Sequence, residues 1–402
     1  MSADSPNAQP SPSGQFNYPN DYRIGAGRVA ELAAVCEARG IERPIVVTDP
    51  GILALPWFAG IRDALNHAGL AVEVFSEIDA NPSSEHVSAG LLAARGHRAD
   101  GLVALGGGSA MDAGKCIALL ADNPGEILEY EDLGDNWQAA DGGKILTTIA
   151  IPTTAGTGSE VGRAAVIVDP RDHNKKIIFH PQMQPDVVIA DPELTIGLPP
   201  HLTAATGMDA LAHCFEAYCA PGYHPMADGI ALEGLRLIAE NLLAAFDDGS
   251  RIDARTHLLM AASMGATAFQ KGLGLIHALS HPVGGVTGLH HGTANAIFQP
   301  YVMVHNRPVI EDRMPRVAEA IGLRASGSTS RSAFDSVLEW TVDLCARLGL
   351  PATLEGVVSE EQIPSLVRMA SQDPSLGTNP KPCSEAEIEG VLRKTIAGDL
   401  SR

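Results

Sequence analysis

The chain has no uninterrupted apolar run of the roughly 18 residues that a membrane-spanning helix needs. It is also poor in positive charge. Lys and Arg number 28 against 48 Asp and Glu, for a formal charge of −20. That balance argues against nucleic acid and against anionic membranes as partners. There is no CxxC pair. The six cysteines (Cys36, Cys116, Cys214, Cys219, Cys345, Cys383) are scattered and read as free thiols in a reducing compartment, so a cytoplasmic location is expected. The first twenty residues are rich in Ser, Pro and Asn and lack the basic-then-apolar layout of a signal peptide. A flexible tail is expected over 1–20. No internal repeat is visible. At 402 residues, 45% of them hydrophobic, the chain is too long for one ordinary core, and two domains are expected.

From residue 21 the pattern alternates short β-branched runs with helical stretches. Strands are expected at 44–48, 71–75, 101–105 and 146–151, with helices over 57–68, 83–98 and 109–120. Continuous apolar strands with brief punctuation indicate parallel βαβ units. Residues 164–168, 176–179 and 187–190 add further strands. From Pro192 onward Ala/Leu-rich helical periods dominate, over 201–220, 226–246, 253–270, 308–322, 329–348, 359–371 and 384–397. The expected division is an α/β domain over 21–195 and an all-α domain over 196–402, near Asp191-Pro192 and Pro199-Pro200.

Four residues look like the ligand set of one metal ion. Asp209 and His213 are four apart in TGMDALAHCFEAY, so on a helix both project from one face. His277 and His291 lie in GLGLIHALSHPVGGVTGLHHG, where His277 and His281 repeat the spacing of four. A lone histidine is more often a hydrogen-bonded core or surface imidazole. Three imidazoles with one carboxylate suit Fe²⁺ or Zn²⁺ better than Ca²⁺ or Mg²⁺. A second signal is Gly106-Gly107-Gly108-Ser109, which follows a buried strand and opens a helix, a favourable place for phosphate oxygens. It is not GxGxxG, and earlier strands precede it, so the usual dinucleotide fingerprint does not apply. Asp112 and Lys115 read as solvated or capping residues on that helix. A third signal is Pro152-Thr153-Thr154-Ala155-Gly156-Thr157-Gly158-Ser159-Glu160 after another buried strand. Two such loops at the carboxyl ends of successive parallel strands meet at one crevice.

The segments GGGSAMDAGK (106–115), PTTAGTGSE (152–160), TGMDALAHCFEAY (206–218) and GLGLIHALSHPVGGVTGLHHGTANA (272–296) together resemble the iron-containing (group III) alcohol dehydrogenases, in order and spacing. The likeness runs from about Tyr22 to the last helices. It implies an α/β domain that binds NAD(P) and a helical domain that holds the metal, the dehydroquinate synthase-like architecture, with a deep cleft between them. Carried over by position, the ligands are Asp209, His213, His277 and His291, and His281 is a catalytic residue that is not a ligand. His290 stands where a proline is frequent and leaves His290 and His291 in competition; the register from His281 favours His291. The resemblance places Asp49 at the adenosine ribose, where a carboxylate accepts from a 2′-hydroxyl and repels a 2′-phosphate, which favours NAD. Gly106, Gly107, Gly108 and Ser109 would hold the pyrophosphate, Thr153, Thr154, Thr157 and Ser159 would line adenine and ribose, and Asn81 and Lys175 match further contacts. Ala164 departs from the family, where a polar residue is common.

The expected activity is metal-dependent, NAD-linked hydride transfer between an alcohol or hydroxy acid and its aldehyde or ketone, with Fe²⁺ or alternatively Zn²⁺, in a homodimer or larger homo-oligomer. Lys271, in AFQKGLGLIH shortly before His277, is the residue expected to favour an anionic substrate of the 4-hydroxybutyrate kind, with Phe269 as an apolar wall. Two rivals belong to other classes. One is a lyase of the dehydroquinate synthase type, which uses NAD transiently; the Asp-His-His-His set argues against it. The other is a catalytically silent binding protein, which intact ligands disfavour.

Overall fold

The computed structural model describes residues 14–16, 20–171, 174–323 and 329–401. Its strands are β1 (Gly14–Phe16), β2 (Asp21–Ile24), β3 (Pro44–Val47), β4 (Glu73–Phe75), β5 (Gly101–Gly106), β6 (Thr148–Pro152), β7 (Ala164–Val168), β8 (Lys175–Phe179) and β9 (Val187–Ala190). Every residue of β3, β5, β6 and β9 is buried. Strands with no polar face must be covered on both sides, which helices on a parallel sheet provide. The main sheet runs β1-β2-β9-β6-β5-β3-β4. All its pairings are parallel except that of β1 with β2. The chain leaves β3 for β4 on one side and then returns to β5 on the other. The switch point of the sheet therefore falls between β3 and β5, where open α/β sheets leave a crevice at the strands' carboxyl ends.

One expectation changes here. Of the tail expected over 1–20, residues 1–13 and 17–19 lie outside the described residues, but Gly14–Phe16 forms an edge strand on β2. Strands β7 and β8 do not extend the main sheet. They pair with each other as an antiparallel hairpin. In β7 burial alternates residue by residue, the signature of a ribbon covered on one face only.

From Pro200 the described chain is helical, and one large apolar cluster fills that part. Its central helix, Pro200–Cys219, opens with Pro at its first position and is buried almost all round. The helices Pro225–Asp247, Ile252–Ala268, Leu275–Thr287 and His291–Ile310 surround it. The helix expected over 308–322 is wrong at both ends. The structure has one continuous helix to Ile310, a short turn Glu311–Arg313, and a separate helix Met314–Ala320. Pro300 and Pro308 lie inside the long helix and interrupt the pattern that would have marked it. Buried hydrogen bonds join the two parts of the chain. Tyr22 on β2 hydrogen-bonds Ser263 on the Ile252–Ala268 helix at 2.6 Å, and Ser263 donates to Glu160 at 2.5 Å.

Candidate metal centre and cofactor cleft

Three helices bring four potential ligands to one point. On Pro200–Cys219, Asp209 and His213 share a face one turn apart. Leu275–Thr287 supplies His277 from its first turn, and His291 begins His291–Ile310. Asp209 Oδ1 lies 3.7 Å from His213 Nε2, 3.8 Å from His277 Nε2 and 3.4 Å from His291 Nε2. The ligand atoms of Asp209, His213 and His277 all fall within 4.8 Å of one another. Glycine makes the approach of the third helix possible: a β-carbon at Gly292 would lie 2.0 Å from the Ala205 carbonyl oxygen and 3.2 Å from Asp209 Cβ. The imidazoles pack as a group, His213 stacked on His277 at 4.6 Å and His281 on His291 at 5.1 Å. Phe269 packs against His213, with ring centroids 5.1 Å apart. His290 lies just before the helix and is exposed, so His291 is the one the fold brings to Asp209.

The donor set fits a divalent ion. Burial lowers the His213 pKa to about 4 despite Asp209, and pushes His291 well below its ordinary value. Both rings are therefore neutral near pH 7, with lone pairs available. His277 differs: burial opposes its charge, but the hydrogen bond and charge of Glu216 hold its pKa above the ordinary value. Hydrogen bonds from a second layer orient the first. Asn295 donates to Asp209 Oδ1 at 2.8 Å, Glu216 Oε2 accepts from His277 Nδ1 at 2.5 Å, and Asp373 Oδ2 accepts from His281 Nδ1 at 2.7 Å. Metal-bound histidines are commonly held by carboxylates in this way. Sequence reasoning missed all three. Two had a signal: Glu216 repeats the Asp209 face two turns on, and Asn295 is four residues after His291. Asp373, 92 residues beyond His281, had none.

Most residues expected to hold the cofactor lie near the sheet's switch point. Asp49 lies two residues beyond the end of β3, and its Oδ1 accepts from the Ile52 amide at 3.0 Å, capping a short helix. Its Oδ2 is turned toward Gly106, where it would stand 3.4 Å from a β-carbon. Gly106 takes φ 154°, open to glycine, and a β-carbon there would meet Ala110 at 2.7 Å. Gly107 caps the Gly108–Leu120 helix with no side-chain hydrogen bond, so the first amides of that helix are free for phosphate oxygens. Thr154 and Thr157 face Gly107 and Gly108 from the neighbouring loop, and Asn81 is exposed at the turn after β4. The same loop reaches the helical part, with Gly156 against Thr206, three residues before Asp209. Burial lowers the Lys175 pKa, while Asp112, Asp209 and Asp373 all oppose that.

Several side chains sit otherwise than expected. Lys115 is neither solvated nor capping; it is buried and donates to the Ser159 carbonyl, the Ser159 hydroxyl at 2.6 Å and the Ala164 carbonyl. Ser159 in turn donates to Asp112 at 2.5 Å. Its hydroxyl is thus spent on a strut beneath the two loops and is not presented to adenine or ribose. Thr153 is likewise buried below the loop. The Ser109 hydroxyl bonds the Ala80 carbonyl at 2.7 Å, leaving its backbone amide as the group open to a phosphate.

The largest correction concerns Lys271. Its side chain is 2% exposed, and its ammonium donates to Asp228 at 2.6 Å and to the Tyr218 carbonyl at 3.2 Å. Arg313 takes the other oxygen of Asp228 at 3.0 Å. A lysine so paired offers no free charge to a substrate. Lys271→Met should leave the preference between anionic and neutral alcohols unchanged and should cost about 1.5–3 kcal/mol of stability, the worth of a charged hydrogen bond. A loss of anion preference at unchanged melting temperature would restore the earlier reading.

A glycine-opened helix at the sheet's switch point, with a carboxylate and three imidazoles gathered on the helical part, is the arrangement of a metal-assisted oxidoreductase. The family model for iron-containing alcohol dehydrogenases matches residues 19–192, and the model for that family's C-terminal domain matches residues 203–396. The chain belongs to the iron-containing alcohol dehydrogenase family and is an oxidoreductase acting on CH–OH groups. It is 40% identical over 391 residues to a 4-hydroxybutyrate dehydrogenase of Cupriavidus necator, covering 94% of this chain and 99% of that one. Among solved structures it resembles a 1,3-propanediol oxidoreductase (TM-score 0.88, 32% identity, 94% of this chain and 98% of that chain). It also resembles a sulfoacetaldehyde reductase of Bifidobacterium kashiwanohense in complex with NAD+ (TM-score 0.84, 30% identity, 98% of this chain and 100% of that chain). No described helix is long and apolar enough to cross a membrane.

Proposed function

We propose that this chain oxidises a short ω-hydroxy acid of the 4-hydroxybutyrate class to its semialdehyde, and runs the reverse reduction, with NAD and one divalent metal ion. The observation that carries the reading is the convergence of three imidazole Nε2 atoms on Asp209 Oδ1, beside a loop that sets Gly156 against Thr206 and Thr154 and Thr157 against Gly107 and Gly108. Asp209, His213, His277 and His291 would hold Fe²⁺ or Zn²⁺. When bound, the ion lowers the pKa of an alcohol or polarises a carbonyl, and nicotinamide accepts or returns the hydride.

The residues of the chain do the rest. The free amides after Gly107 bind the pyrophosphate, and Asp49 takes the ribose hydroxyls. Thr154, Thr157, Asn81 and Lys175 complete the cofactor's bed. His281 keeps its Nδ1 proton on Asp373, which leaves Nε2 to pass a proton between the cleft and water. Phe269 helps keep water from the reacting carbon. The names of the Cupriavidus necator and Bifidobacterium kashiwanohense relatives carry a carboxylate and a sulfonate substrate, which supports an anionic substrate here. Six free cysteines support a reducing, cytoplasmic setting.

The test is steady-state kinetics with 4-hydroxybutyrate and with a neutral alcohol of equal length, using NAD and NADP. Net NADH should accumulate, fastest with the acid. Asp49→Ser should weaken NAD and relax its advantage over NADP, because the repulsion of a 2′-phosphate is gone. Equal efficiency of the unaltered enzyme with both cofactors, or a better rate with the neutral alcohol, would refute the assignment concerned.

A further inference from the structure

Glu216 lies three residues after His213 and seven after Asp209, so it lines the same face of the Pro200–Cys219 helix. It is 4% exposed. A carboxylate so far from water must be compensated, and both of its oxygens are. Oε2 accepts from His277 Nδ1 at 2.5 Å, and Oε1 accepts from the Ile276 amide at 2.7 Å. Ile276 and His277 both belong to the first turn of Leu275–Thr287, whose N-cap, Gly274, contributes no side-chain hydrogen bond. One carboxylate thus performs two tasks. It satisfies a helix N-terminus, where negative charge is favoured, and it holds the imidazole that this helix delivers to Asp209.

We propose that Glu216 is a positioning residue of the metal centre, keeping the His277 proton on Nδ1 so that the Nε2 lone pair points at the ion. This rests on the reading of Asp209, His213, His277 and His291 as the ligand set. A residue that only caps the helix needs one oxygen on one amide. The second oxygen on the ligand's remote nitrogen is what a metal centre requires and a cap does not. The chemistry makes Glu216→Gln diagnostic. Both partners of Glu216 are donors, whereas an amide has one acceptor oxygen and one donor nitrogen. If the oxygen stays on the fixed Ile276 amide, the new NH₂ faces His277 Nδ1. The ring relieves that clash by moving its proton to Nε2, the atom that must be bare.

The experiment uses the full-length protein stripped with a chelator and titrated with Zn²⁺ against a competing chromophoric chelator. Apo-protein melting is measured beside it. Glu216→Gln should weaken Zn²⁺ affinity about 10–100-fold, the usual effect of losing such a partner, and NAD binding should be unchanged. Asp209→Ala is the control for the ligand set and should lose tight binding altogether. If Asp209→Ala fails to bind while Glu216→Gln binds within about threefold of the unaltered protein, the positioning role is wrong and Glu216 is only a cap. If Asp209→Ala itself keeps its affinity, the ligand reading falls and this proposal with it. Should Glu216→Gln not fold, Glu216→Asp replaces it: the shorter carboxylate cannot span both donors, and unchanged Zn²⁺ affinity in that variant overturns the proposal.

Discussion

His277→Ala is expected to purify folded, to hold less than about a tenth of the normal metal, and to turn over roughly 10³-fold more slowly, since Lewis-acid stabilisation is worth several kcal/mol and each decade costs about 1.4. The fold should survive because the apolar cluster of the helical part draws on many side chains besides those flanking His277. Removing the ring also takes from buried Glu216 the partner of its Oε2, so some loss of stability should accompany the change. His277 is the one proposed ligand whose charged form is favoured, through Glu216, while His213 and His291 are held neutral by burial. Metal analysis and steady-state rates on one preparation check this. Full occupancy with full turnover would show that His277 is not a ligand.

His281→Ala is expected to behave in the opposite sense, with metal content unchanged and kcat lowered by about 10²–10⁴-fold, the range for a lost general acid–base group. The two histidines are neighbours on one helix, four residues apart, with rings 5.8 Å apart, yet the structure separates their duties. His277 turns its Nε2 to Asp209 and rests its Nδ1 on Glu216. His281 rests its Nδ1 on Asp373, stacks on His291, and makes no approach to Asp209 comparable with the other three. Metal loss in the His281 variant would make it a ligand.

Much of this site was legible in the chain because its chemistry is local. Asp209 and His213 sit one helical turn apart, His277 and His281 repeat that spacing, and the glycines at 106–108 stand between a fully buried strand and a helix. What the sequence concealed is long-range. Asp373 reaches His281 from a distant segment, and no spacing rule joins them. Lys271 looked free because its counter-charge, Asp228, is 43 residues away. Ser159 and Lys115 read as surface or ligand groups, but they form a buried strut whose partners come from separate elements. The fold shows the same division. Alternating burial in β7 and partial burial in β8 separate them from the fully buried strands, but their pairing with each other is a tertiary fact. The helix His291–Ile310 was hidden by its own prolines.

The most direct test of the account is metal reconstitution. The purified enzyme is stripped with a chelator, and NADH formation from 4-hydroxybutyrate is followed as Fe²⁺ or Zn²⁺ is added back. Activity should be absent from the stripped protein and should rise to a plateau at about one ion per chain. Asp209→Ala and His277→Ala should give no such rise. A stripped enzyme that produces NADH at the full rate would contradict the metal-dependent mechanism outright.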